Sequence, residues 1–134
     1  MDIFQIADSL PNGFHDSELT ELALNFAKRS AHLSLSVWIG DNTERETYRA
    51  ATLELRGVDY CLIDPPDPRY PFRSDQPLTI DLTTPEQSTQ ALQITGVPFR
   101  FWVAQWNSFI HMCAADAAFE WAGIPLVRKH ERES

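Results

Sequence analysis

Beyond Ser17, apolar and polar residues alternate along most of the chain with the period of two that marks strands burying one face. Leu22, Leu24 and Phe26 alternate with Glu21, Ala23 and Asn25. After the polar break Ala27-Lys28-Arg29-Ser30 the pattern resumes as Leu33, Leu35, Val37 and Ile39 against His32, Ser34, Ser36 and Trp38. These two runs predict a β-hairpin with one wet face. Gly40-Asp41-Asn42-Thr43 ends it. A third strand follows, with Ala51, Leu53 and Leu55 set against Thr52, Glu54 and Arg56, and Gly57 permits a bulge or bend there.

The segment from Asp64 to Phe72 holds four of the nine prolines, Pro65, Pro66, Pro68 and Pro71, and so lacks backbone donors. It predicts an extended loop or edge cover. Leu78, Ile80 and Leu82 mark another strand; Thr84-Pro85-Glu86 suits a cap followed by a proline-led helical turn, and Ala91 to Thr95 predicts a further short strand. Pro98 to Trp106 and Phe109 to Trp121 flank Asn107-Ser108, whose short polar side chains suit a tight turn, and together predict a long C-terminal hairpin. Its Ala114 to Trp121 stretch also reads as helix, because alanine is the best helix former. Ahead of all these strands, Asp2 to Asp8 predicts a short amphipathic helix capped by Asp2, with Ile3, Phe4, Ile6 and Ala7 on one side and a stop at Leu10-Pro11-Asn12-Gly13.

The pattern therefore predicts a mainly β fold: an antiparallel β-sandwich or partly open barrel with a short N-terminal helix. The 134 residues suit one β-rich domain over 1–127, followed by a loose mixed-charge tail at 128–134. Hydrophobic residues at 43% exclude a disordered chain. A formal net charge of -8 argues against a nucleic-acid partner, since neutralising phosphates takes a Lys/Arg surface. No apolar run approaches the roughly 20 residues needed to span a bilayer, and Asp2 stands where a secretory leader needs positive charge. The expectation is a cytoplasmic protein without a membrane partner, with Cys61 and Cys113 as buried thiols rather than a disulfide.

The densest chemistry lies in Phe14-His15-Asp16-Ser17-Glu18, a histidine and two carboxylates just ahead of the first long strand. Such a group can bind a divalent metal or move protons. It also suits a structural turn in which Phe14 anchors the core, His15 bonds a carbonyl and Asp16 accepts backbone N–H groups. In extended chain, His15 and Asp16 point to opposite faces, which favours the structural reading. His32, His111 and His130 add no HxH or HExxH spacing, and the serines lack a GxSxG elbow. No catalytic residue, metal site or cofactor is expected. Trp38, Trp102 and Trp106 form a candidate interface for a partner or a dimer mate.

The run Phe14 to Glu18, with the later Phe99-Arg100-Phe101-Trp102-Val103, resembles a broad group of small bacterial proteins that open with Phe-His-Asp-Ala-Glu. Some of that group are classed as immunity proteins of polymorphic toxin systems. Ser17 departs from the group's alanine. The resemblance implies a non-catalytic interaction protein that neutralises a toxin by binding it, with Phe14, His15, Asp16 and Glu18 at the matching positions. Two other readings stand beside it: a small-molecule- or metal-binding barrel with a mouth built from His15, Asp16, Glu18 and His111, and a structural homodimer.

Overall fold

The computed structural model describes residues 1–40, 46–70, 75–85 and 96–128. Helix α1 spans Ile3–Ser9. Asp2 caps it by accepting the Gln5 N–H, and the Gln5 side chain accepts the Asp2 N–H in return. Ile3 and Ile6 are buried, and the Met1 carbonyl accepts the Ala117 N–H at 2.7 Å, which ties the helix to the barrel wall.

Among the described residues eight strands follow: β1 (Pro11–Phe14), β2 (Ser17–Asn25), β3 (Ser30–Trp38), β4 (Glu46–Ile63), β5 (Leu78–Thr83), β6 (Val97–Val103), β7 (Ser108–Trp121) and β8 (Leu126–Arg128). The sheet runs β3-β2-β5-β6-β7-β4-β8, all antiparallel, and β3 also pairs with β4. That last pairing closes six strands into a barrel, where a sandwich or a partly open barrel was the expectation. The long β4 makes closure possible, giving one edge to β3 over Tyr48–Arg56 and the other to β7 over Ala51–Ile63. Tyr48 pairs with Trp38 on one side and Leu126 on the other, so β8 continues the ladder of β7 after a short break. Arg128, assigned to the tail by its charge pattern, is the last residue of this ladder and pairs with Glu46.

So narrow a barrel is filled by its own side chains. Leu33, Val37, Leu53, Leu55, Ile80, Phe101, Val103 and Met112 are all 0% exposed. Phe14 closes the packing, with its ring edge-on to Phe101 at 6.3 Å and Phe119 at 6.2 Å.

Two departures from the sequence pattern matter. In β2 the register shifts between Leu19 and Glu21, and β5 pairs only with Ser17–Leu19. Past that bulge the strand leaves the barrel wall, so Leu24 is 39% exposed and Phe26, expected inside, is 85% exposed. Ala114 to Trp121 is strand, as the long C-terminal hairpin predicts, and the helical alternative falls. These residues are held in register by β4 from Ala51 to Val58, and tertiary pairing overrides alanine's intrinsic preference. The β6–β7 turn occupies Ala104 to Asn107; Asn107 supplies the positive φ of 47°, while Ser108 already belongs to β7.

Gly57 does mark a bend, with φ at 63° and a register shift in β4 between Val58 and Tyr60 that leaves Asp59 as the extra residue. The proline-rich segment is a loop over Asp64 to Tyr70, fastened to the C-terminal hairpin by Asp64 N–H to Phe109 O and Asp67 N–H to Trp106 O. The expected helical turn after Pro85 and the strand at Ala91 to Thr95 lie outside the described residues. Among the described residues, no helix is long and apolar enough to cross a membrane.

Candidate functional site

The motif at Phe14 to Glu18 divides as soon as it is folded. Phe14 turns inward as the anchor of the core. His15 and Asp16 then make the turn from β1 into β2, and Asp16 sits at φ 52°, the left-handed region that aspartate tolerates better than most residues. Extended-chain alternation is thereby broken. His15 Nε2 lies 3.4 Å from Asp16 Oδ2, so adjacent side chains expected on opposite faces converge.

Asp81 completes the group from β5. Ile80 fills the barrel at 0% exposure, which turns its neighbour Asp81 to the outer face, where it meets His15 Nδ1. The expected bond from His15 to a backbone carbonyl is replaced by this carboxylate. Among the described residues the Asp16 carboxylate accepts no backbone N–H; it faces the imidazole instead. The Asp81 hydrogen bond raises the His15 pKa above its ordinary 6.5; slight desolvation opposes this, and the charges of Asp81 and Asp16 add to it. One donor atom from each of His15, Asp16 and Asp81 fits within a 4.8 Å group.

Aromatic rings border the cluster. The Trp38 ring lies 5.9 Å from His15, and Trp102 is the cross-strand neighbour of Asp81 in β6. Trp106 stands apart, in the β6–β7 turn against the core. All three tryptophans are half-buried. Glu18 is engaged elsewhere: Arg128 grips it through both guanidinium nitrogens at 2.7 Å while lying 4.0 Å above the Tyr48 ring. His111 pairs with Asp64 at 2.8 Å and with Arg100 across the ladder, so the structure does not bring it to His15.

A second polar centre escaped sequence reasoning. Asp59, extruded by the β4 bulge, accepts from Arg29 at 2.7 Å, from the Gly96 N–H at 3.1 Å and from the Cys113 thiol at 3.5 Å. Gly57, with its latitude for a bulge, was the one signal pointing there. Beside Asp59 an open groove is lined by Leu24, Phe26, Arg29, Val58, Tyr60 and Cys61. Burial, then the Asp59 bond and charge, push the Cys113 thiol up to about 11, far from the range of a reactive thiolate.

Comparison of the chain with family models, curated proteins and solved structures yields no match.

Proposed function

We propose that this chain is a non-catalytic binding protein of the bacterial cytoplasm that engages a protein partner with its outer surface, in the manner of an immunity protein covering a toxin. The observation that carries this reading is Phe26, 85% exposed where β2 turns toward β3. Its ring stands at the rim of the Asp59 groove beside Leu24 and Tyr60, and Leu62 and Ile63 continue the apolar surface along β4 at 58% and 49% exposure. Burying one such phenylalanine against a partner yields about 1.5–3 kcal/mol, and aromatic anchors of this kind dominate protein interfaces. The filled barrel supports the same reading, because recognition then belongs to the outside. A net charge of -8 favours a basic partner.

Co-expression with the product of each adjoining gene tests the proposal. The expected result is a toxic neighbour that copurifies with the chain and whose growth arrest the chain relieves. Phe26→Ser should lose both effects while melting like the wild type. A chain that neither copurifies with nor rescues from any neighbour is not an immunity protein.

A further inference from the structure

We propose that His15 and Asp16 form a binding site for a first-row divalent ion of the zinc class, with Asp81 as the carboxylate that orients the imidazole. The site shares no residue with the groove at Phe26 and stands independently of the protein-binding reading.

The geometry between the donors is the first argument. Two atoms bound at about 2.0–2.2 Å to a tetrahedral ion stand roughly 3.4 Å apart. His15 Nε2 and Asp16 Oδ2 are separated by 3.4 Å. That distance exceeds a good hydrogen bond, and it leaves room for an ion between the two atoms.

The second argument is the tautomer. Metal-binding histidines hand their other ring N–H to a carboxylate or carbonyl, which fixes the ring and raises the basicity of the ligating nitrogen. Asp81 does this to His15 at Nδ1. In the neutral imidazole that donates Nδ1–H to Asp81, the Nε2 lone pair is left free, 3.4 Å from Asp16 Oδ2. Asp81 comes from β5, a rigid barrel strand whose neighbouring Ile80 is locked in the core.

The third argument is donor chemistry. An imidazole nitrogen beside carboxylate oxygens suits zinc and its neighbours rather than magnesium or calcium, which prefer all-oxygen shells. His15 is 59% exposed, so the remaining coordination positions open to water.

Titration calorimetry with zinc chloride on the tag-free chain near neutral pH provides the test, with copper quenching of Trp38 emission as a second readout. One equivalent should bind to the wild type. Asp16→Asn keeps a residue that accepts positive φ but weakens the ligand, and His15→Ala removes one donor; each should abolish the heat and the quenching. Asp81→Asn should weaken binding about 10–100-fold, the usual effect of losing an orienting partner. His111→Ala should bind zinc like the wild type, and Trp38→Phe should bind it but lose the quenching. Circular dichroism melts confirm that each variant is folded. A wild type that takes up no zinc, or His15→Ala and Asp16→Asn variants that bind as well as the wild type, overturns the site. Neither result touches the partner-binding proposal, which Phe26→Ser tests separately.

Discussion

His15 and Asp81, 66 positions apart in sequence, are joined through Nδ1 and a carboxylate oxygen at 2.5 Å. The pair should be visible in an NMR titration of the imidazole. His15 should titrate above 6.5, and Asp81→Asn should lower that value, because the largest cause of the rise is the Asp81 bond. The raised folded pKa also sets a sign for stability. The favourable contribution is complete below the unfolded value of 6.5 and is lost as pH rises through the folded value. Solvent screens this exposed pair, so the effect on stability is small. A His15 midpoint at or below that of a model peptide would contradict the bond.

Asp59 predicts the opposite pH dependence. Burial works to raise its pKa, but bonds from Cys113, the Gly96 N–H and Arg29 outweigh it and hold the carboxyl below its ordinary 3.8. A depressed folded pKa stabilises above the unfolded value, and that stabilisation disappears as pH falls through the folded one. Urea melts at about pH 5 and about pH 3 should show the wild type losing more stability than Asp59→Asn across that interval. Equal losses would remove Asp59 from the acid response.

How much of this was legible in the sequence depends on whether the cause is local. The Asp2 cap, the alternation from Leu33 to Val37 and from Leu78 to Leu82, and the proline-rich loop follow from residues that interact with near neighbours. Barrel closure does not, because β3 meets β4 through a register that only the complete sheet determines. The bulge at Thr20 leaves no mark either. Its apolar alternation runs on to Phe26 as though the strand stayed in the wall, and the face assignment of the hairpin tip fails for that reason. Of the candidate chemistry, His15 and Asp16 stood out by composition. Asp81 read as an ordinary polar position in a strand, and Asp59 as one more residue near a glycine. Both acquire their roles from contacts with distant parts of the chain.

Close backbone approach gives a third prediction. A Cβ added at Gly96 would stand 2.7 Å from the Ala114 carbonyl carbon and 2.9 Å from its oxygen, so neighbouring backbone would have to move. Gly96→Ala should destabilise the barrel by about 1–3 kcal/mol, the usual cost of overpacking. Gly13 has φ at 55° but nothing nearer than 3.7 Å. Gly13→Ala should cost only the left-handed backbone penalty of about 1–2 kcal/mol. Denaturant midpoints with unchanged m-values would measure both. A Gly96→Ala protein as stable as the wild type would show that β6 and β7 are not packed this closely.

Two phenylalanines separate folding from recognition. Phe14 is 1% exposed and wedged between Phe101 and Phe119, whereas Phe26 is 85% exposed at the hairpin tip. Phe14→Ala removes a ring from a packed core and leaves a cavity that surrounding strands cannot collapse to fill. Its cost should be about 3–5 kcal/mol, a large part of the stability of a domain this size. Phe26→Ala removes a ring that touches little of its own protein, so thermal and denaturant stability should stay within about 0.5 kcal/mol of the wild type. Partner affinity should behave the other way round. Phe26→Ala should weaken binding by at least about tenfold, equivalent to 1.4 kcal/mol, while folded Phe14→Ala protein, assayed well below its melting temperature, should keep wild-type affinity. If Phe26→Ala instead lowers stability substantially, the hairpin tip is covered in solution by another part of the chain or by a second copy. Sedimentation of wild type and variant would tell those two apart, since only the second changes mass with concentration.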